Sequence, residues 1–406
     1  MVDRRTPDGK RAADGLVGIL RSSGQADVIT SRDNRWLKEF RMALRGGVPT
    51  ASGAVGVEGV RLVEEALASG CRVEAVLLGE SGERHRERLA PVIGGPERGF
   101  PVLRTTDRLF EGLADTEHPQ GVAALVVPRV WTLEEILSGE KSPGANAAPG
   151  APGEETREEE EILPLDRQSP LFAKSAKDGA PSRSKEIGAN TDRRAQPGLG
   201  MALPWAGVPL IVALAGVQDP GNVGTILRTA AAFGATAAIT AATGQSGTAS
   251  PFAPKALRAS AGATLHLPVV SGMALGILLT QLKVRGIRTL ASCVEEERSQ
   301  ITDIGYPERK TQDAKAAPGA PARALAPWEV DWCEAVALLV GNEGAGLPED
   351  VVHGADARVH IPMAALPSSG RGQVESLNAA AAAAVVLYEA FRQRARKVGT
   401  FERRNV

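Results

Sequence analysis

Residues 219–235 read DPGNVGTILRTAAAFGA. A tight polar turn runs into an alanine-rich apolar run, with Asn222 at its mouth and Arg228 inside it. Asp219, Pro220 and Gly221 have turn chemistry, and the Asn222 side chain can cap a helix or orient a ligand group. Arg228 lies six residues further on, a little under two helical turns, and so is displaced around the helix from its capping end. Taken alone, the pair is also accounted for by a cap and an arginine pairing with a buried carboxylate.

A second group is GNEGAGL, residues 341–347. Gly341, Gly344 and Gly346 let backbone approach a ligand or take positive φ, and Glu343 sits inside the turn. The pattern is not a Walker A loop, which would need a Lys-Ser/Thr ending, nor a dinucleotide fingerprint. A plain helix-entry turn fits the spacing as well. A third group begins at His360 in HIPMAALPSSGRGQVESLNAAAAAAVV. A strand leads into a loop holding Arg371, then Ser376 and Asn378 open an alanine-filled helix. Ser376 could be merely an N-cap, whereas Asn378, near the start of an otherwise alanine-filled helix, points to a functional side chain.

These groups need elements to position them. VPLIVALAG reads as a buried strand, followed by the helix of the first group, and ATAAIT as another strand. PFAPKALRASAGA predicts a helix opened by proline, LHLPVV a strand, ALGILLTQLKVRG a helix and IRTLASCV a strand. AVALLVGNEGAGLPEDVV predicts strand, turn and helix, ARVHIPM a strand, and ESLNAAAAAAVVLYEAFRQRAR a closing helix with a basic end at its negative pole. The alternation over 208–395 predicts an α/β domain with a mostly parallel sheet.

A smaller α/β domain is expected over 28–128. Ser31 could cap a helix with Trp36, Leu37, Phe40 and Leu44 inside, and Arg32, Arg35, Lys38, Arg41 and Arg45 outnumber Asp33 and Glu39 in the same stretch. GVEGVRLVEEALASG reads as an amphipathic helix ended by Gly70, CRVEAVLLG and QGVAALVVP as strands, and PVLRTTDRLFEGLA as strand into helix. Residues 129–205 are rich in proline, glycine and charge, with an acidic block at 154–161, and are expected to be a disordered linker.

Composition sets limits. Lys+Arg total 47 and Asp+Glu 48, so bulk charge does not drive nucleic-acid binding and any basic surface must be local. Aromatic residues are 4%, too few for an extended stacking platform. Cys71, Cys293 and Cys333 form no CxxC pair and the five histidines do not cluster, which argues against structural zinc. No apolar signal core follows the charged N-terminus and no apolar run suffices to span a membrane, so a reduced, cytoplasmic protein is expected.

Together, NVGTILRTAAAFGA, LLVGNEGAGL and IPM…VESLNAAAAAAVVLYEA resemble the SpoU, or TrmH-like, family of RNA 2'-O-ribose methyltransferases in the SPOUT superfamily. VEGVRLVEEAL and HPQGVAALV resemble that family's substrate-binding domain, a fold similar to ribosomal protein L30e. The resemblance implies a C-terminal trefoil-knotted domain whose knot forms the pocket for S-adenosylmethionine, with no metal. It implies that Gly341, Ile361 and Leu377 line that pocket and that Asn222, Arg228, Glu343, Ser376 and Asn378 are the polar functional residues. Arg32, Arg35, Lys38, Arg41 and Arg371 would contact RNA. A homodimer acting on RNA, ribosomal RNA in preference to transfer RNA, is implied as well. The link AALPSSGRGQVE, 364–375, is longer than is common in the family. The rival readings are a non-catalytic RNA-binding ribosome-assembly factor and a base methyltransferase of another knotted subgroup.

Overall fold

The computed structural model describes residues 28–93, 99–138, 207–243, 247–294, 323–363 and 376–397. The N-terminal part runs β1 (Val28–Ile29), α1 (Arg35–Leu44), β2 (Val55–Glu58), α2 (Val60–Ala68), β3 (Arg72–Leu78), α3 (Arg86–Ile93), β4 (Val102–Thr105), α4 (Asp107–Glu111) and β5 (Val122–Val127). Its strands form a mixed sheet in the order β1-β4-β3-β5-β2. Leu37, Phe40 and Leu44 of α1 pack with Phe110 and Leu113 at and beyond α4 on one face. Val60, Leu62 and Val63 of α2 and Leu89 of α3 cover the other.

Two expectations are corrected here. Ser31 does not cap α1: Asn34 does, its Oδ1 accepting from the Trp36 N–H at 2.8 Å, while Ser31 receives the Asp33 N–H. Nor is GVEGVRLVEEAL helical throughout. Val55–Glu58 is a strand paired antiparallel to β5, and Gly59, at φ 97°, turns the chain into α2. The buried Glu58 carboxylate hid this strand by mimicking a helix's polar face. In the fold it accepts from Asp115 N–H at 3.0 Å and from the Thr116 hydroxyl.

Residues 129–138 also depart from the expected linker. Leu133–Ser138 is helix α5, and its Ile136 and Leu137 are buried against the C-terminal sheet. Burying two such side chains contributes on the order of 1.5–3 kcal/mol each, which outweighs local polarity. The remainder of the expected linker, 139–205, lies outside the described residues.

The C-terminal part runs β6 (Leu210–Ala215), α6 (Pro220–Ala232), β7 (Ala237–Ala242), α7 (Pro254–Ala259), β8 (Val269–Ala274), α8 (Leu275–Val284), β9 (Arg288–Ser292), β10 (Val336–Val340), α9 (Glu349–Gly354), β11 (Ala357–Val359) and α10 (Ala379–Lys397). The sheet order is β11-β9-β10-β6-β7-β8 and every pairing is parallel. Leu210, Val212 and Leu214 face α6 and α10, whereas Ile211, Ala213 and Ala215 face α5, α8 and α9. Helices on both faces explain why β6 is an unbroken apolar run. The buried Arg394 of α10 donates to the carbonyls of Val208, Pro209, Trp332 and Glu334, tying the last helix to the segments leading into β6 and β10.

The N-terminal sheet docks on α7. Leu257 and Leu265 enter the α2-side core, Arg258 pairs with Asp115 at 2.6 Å, and His266 meets Glu65 at 3.1 Å. The opposite side of α7 crosses α6 at Gly224, where an added Cβ would lie 2.2 Å from the Ala256 carbonyl oxygen. Gly224→Ala is expected to destabilise the protein by about 1–3 kcal/mol through overpacking. The check is a lower urea midpoint with unchanged slope; an unchanged midpoint would show that the helices separate without cost.

Candidate functional site

β6 and β10 are neighbours, and the chain leaves them toward opposite edges of the sheet: β7 lies beyond β6, β9 and β11 beyond β10. A parallel sheet opens a ligand crevice at the carboxyl ends of its strands where the order switches in this way. The three sequence groups follow β6, β10 and β11, so all are delivered to this end of the sheet.

The turn after β10 is self-closed. Asn342 and Gly346 exchange backbone hydrogen bonds at 3.0 Å, and the Asn342 Oδ1 accepts from the Gly344 and Ala345 N–H groups at 2.9 Å. Gly341 is required because a Cβ there would lie 2.4 Å from the Leu347 nitrogen. Asn342 Nδ2 also donates to the Gly216 carbonyl at 2.8 Å, bridging the ends of the two central strands. The turn is therefore more than a helix entry; α9 begins only after Pro348.

Closure of this turn sends Glu343 toward the loop after β6. Its carboxylate accepts from the Gln218 N–H at 3.1 Å, the Asp219 N–H at 3.2 Å and Asn222 Nδ2 at 3.0 Å. Burial pushes the Glu343 carboxyl up, but the donors, Asn222 first, outweigh it and hold it below the ordinary carboxylate range. Asn222 Oδ1 in turn accepts from Asn378 Nδ2 at 3.1 Å. The Asn378 Oδ1 caps α10, accepting from Ala380 and Ala381 N–H groups. Glu343, Asn222 and Asn378 thus form one hydrogen-bonded chain across three loops.

Other expected residues stand differently. Asp219, not Asn222, caps α6, accepting from the Gly221 N–H at 3.2 Å; Asn222 lies inside the first turn. Arg228 is exposed, because Val223, Ile226, Leu227 and Ala230 take the inward face. It pairs with no carboxylate among the described residues, which removes the buried-pair alternative. Six residues place it ~9 Å along α6 and ~120° around from Asn222. Ser376 is exposed and yields the cap of α10 to Asn378. Ile361 is half-buried against the α6–α10 core, and Leu377 is 39% exposed beside the cap. Arg371 lies outside the described residues. On α1, Arg35 pairs with Glu39 at 2.9 Å and Lys38 with Asp33 at 3.3 Å, while Arg41 and, from the loop before the helix, Arg32 line a shared notch.

Sequence reasoning missed Asn342 and Lys255. An asparagine following glycine in a tight turn was the available signal for Asn342. Lys255, on α7, meets Asp219 Oδ1 at 2.5 Å, and with the Gly221 N–H it holds that carboxyl low. No spacing rule links positions so far apart in sequence.

Residues 209–388 match the model of the SpoU rRNA Methylase family, and residues 50–124 that of the MRM3-like substrate binding domain. The chain carries a SpoU/TrmH-like SPOUT RNA methyltransferase domain with an associated substrate-binding domain. It is 33% identical over 172 residues to the 23S rRNA (guanosine(2553)-2'-O)-methyltransferase RlmP of Bacillus subtilis, covering 42% of this chain and 54% of that one. It is 33% identical over 176 residues to the 23S rRNA (uridine(2479)-2'-O)-methyltransferase of Streptomyces viridochromogenes, covering 43% and 50%. The match thus spans about half the length of these relatives. The fold is shared with an AdoMet-bound rRNA methyltransferase from Sinorhizobium meliloti, at TM-score 0.56 and 22% identity over 91% of this chain and 98% of that one.

The depressed Glu343 carboxyl sets a pH dependence. A carboxyl lower in the folded than in the unfolded state adds stability that is present above its unfolded value and lost as pH falls through the folded one. Wild type is expected to exceed Glu343→Gln in urea midpoint at neutral pH, with the gap closing as pH falls below about 4. A gap that persists in acid would assign the difference to shape rather than charge.

Proposed function

We propose that the protein transfers the methyl group of S-adenosylmethionine to a ribose 2'-hydroxyl of RNA, with ribosomal RNA as the substrate class. The observation that carries this is the meeting of Glu343, Asn222 and Asn378, one from each sequence group, at the sheet's switch point within the SpoU-family match. The rRNA named for both curated relatives supports the substrate class; the different bases named for them leave the nucleotide open.

The residues present fit an adenosyl group. Gly341 presents backbone in a closed turn, Ile361 offers a half-buried apolar wall, and Leu377 an exposed apolar side chain next to the α10 cap. These would hold the group, within the knotted domain that the family resemblance implies. When bound, S-adenosylmethionine supplies an electrophilic methyl on a sulfonium. The chain's own task is alignment and charge stabilisation at the ribose oxygen.

Glu343 already accepts from three donors, so its role is to fix Asn222 and the 218–222 loop rather than to take a proton. Asn222 and Asn378 are set by each other at the loop edge. Arg228 is exposed, and its planar fork of N–H donors suits both the developing oxyanion and a neighbouring phosphate. Ser376, also exposed, lies two residues from Asn378 and can contact RNA directly. The exposed Val385 and Tyr388 of α10, with Phe233 against Tyr388 at 5.5 Å, support a homodimer formed through that face. Cytoplasmic residence is supported by three free cysteines, and among the described residues no helix is long and apolar enough to cross a membrane.

The test is incubation with methyl-labelled S-adenosylmethionine and, separately, ribosomal and transfer RNA, followed by alkaline hydrolysis. Label in an alkali-resistant dinucleotide from ribosomal RNA is expected. Arg228→Ala should lower turnover by about 10²–10³-fold and, being exposed, change stability by no more than ~0.5 kcal/mol. RNA binding without cofactor binding or transfer would replace this reading with that of an assembly factor.

A further inference from the structure

Asp219 is held from several sides at the point where the chain leaves β6 for α6. Its N–H donates to Glu343 at 3.2 Å and its carbonyl accepts from the Val223 N–H at 3.0 Å. Its Oδ1 accepts from the Gly221 N–H at 3.2 Å and from Lys255 Nζ at 2.5 Å. The first three contacts belong to the helix cap and the Glu343 grip. The fourth comes from another helix, since Lys255 is the second residue of α7. Local helix preference does not favour a lysine there, because a cation in a first turn opposes the helix's positive pole. Stability does not explain it either: the two side chains are 60% and 42% exposed, and exposed pairs contribute little. The lysine stem lies close to the turn, so that a Cβ at Gly221 would stand 3.2 Å from Lys255 Cε.

We infer that Lys255 is a positioning residue for the methyl transfer: by holding Asp219 it sets the direction in which α6 leaves the sheet, and with it the places of Asn222 and Arg228. The inference rests on the function proposed above and deepens it by adding a residue that acts on the reacting centre through another. Val223, Ile226 and Leu227 pack α6 against its core, but apolar packing is non-directional. The polar contacts of the first turn therefore set the tilt and rotation of the helix. Arg228 lies nine residues after Asp219, ~13 Å along α6. A tilt of about 5° at Asp219 moves it by about 1 Å, a displacement that can cost a reaction on the order of 10²-fold in rate.

The hold is anchored outside α6. Along α7, a side chain at Gly47 would meet Pro254 at 3.4 Å, Leu257 enters the α2-side core and Arg258 pairs with Asp115 at 2.6 Å. The helix that carries Lys255 is thus fixed to the part of the chain that matches a substrate binding domain. Lys255 ties the first turn of α6 to that same frame. Its hydrogen bond is the foremost of the contacts that hold the Asp219 carboxyl low, ahead of the Gly221 N–H, so charge as well as shape is engaged.

Single-turnover methyl transfer by the full chain to the large and small ribosomal RNAs, transcribed in vitro and so unmethylated, tests the role at saturating S-adenosylmethionine. Lys255→Met is expected to lower the rate at least ~10-fold, with RNA and S-adenosylmethionine affinities unchanged. Lys255→Arg, which keeps the charge and the reach, should keep most of the rate. Asp219→Asn preserves the cap but not the ion pair. It should fall as far as Lys255→Met, and the double variant no further, because both remove one interaction. Hydrogen exchange at the Gln218, Asp219, Gly221 and Val223 amides gives a readout that needs no RNA. It should quicken in Lys255→Met and return toward wild type in Lys255→Arg, with the urea midpoint in place. Wild-type rates in both single variants would overturn the role and leave the methyl-transfer reading intact. Additive losses would also overturn it. So would lost RNA affinity with a lower salt dependence in Lys255→Met alone, which would make Lys255 a phosphate contact. Wild-type protein that transfers no methyl group to either RNA would overturn both.

Discussion

Glu343 leaves the turn after β10 and takes hold of the loop after β6, and the candidate site is arranged around that grip. Three donors converge on one carboxylate: two backbone N–H groups that fix the path of 218–219, and the Asn222 amide. Because Asn222 also accepts from Asn378, the same grip reaches the cap of α10. The strands beneath are neighbours in a parallel sheet, so their carboxyl ends lie side by side and the loops leaving them can meet. Asn342 reinforces the junction by bridging to Gly216. A carboxylate with three charge-assisted hydrogen bonds is a rigid element, and it positions neighbours better than it exchanges protons.

The sheet order was not legible from the sequence, but the alternation was, and for a physical reason. β6 and β10 are buried on both faces, so they read as continuous apolar runs between amphipathic helices. Where one face is partly polar the reading failed: Gly56 and Glu58 broke the apolar pattern of β2, and the strand was absorbed into the following helix. α5 was missed because its stability comes from Ile136 and Leu137 burying in a distant sheet. Ser31 and Asn34 are both good caps, and which one serves depends on the loop's path.

The candidate site was legible as a set of residues, not as a geometry. Motif order brought Asn222, Glu343 and Asn378 forward, yet it could not say that they touch. It also left open a pairing of Arg228 with a buried carboxylate, since an arginine within Ala, Leu and Ile looks enclosed until the helix face is known. Lys255 depends on a partner distant in sequence, and the joining of the two parts of the chain depends on contacts more distant still. α7 makes those contacts: Leu257 enters one core, Ala256 packs under Gly224, Lys255 meets Asp219 and Arg258 meets Asp115. A helix of only six residues joins the two sheets, and no periodicity within it announces that role.

The polar residues divide by what they are already bonded to. Glu343, Asn342, Asp219 and the capping oxygen of Asn378 have most of their hydrogen-bonding capacity met within the chain, and each fixes a loop. Arg228, Arg32, Arg41 and Arg108 keep theirs among the described residues. An exposed guanidinium costs little to leave in water and loses little on meeting a phosphate, because its fork is rigid. Groups that hold geometry must be satisfied before a ligand arrives, or the loops would not be preorganised. Groups that meet a polyanion must be unsatisfied, or binding would first have to break internal pairs. Those two requirements separate Arg228 from the Glu343 grip. Arg228 stands exposed on the helix whose entry loop that carboxylate fixes, and it keeps its own donors among the described residues.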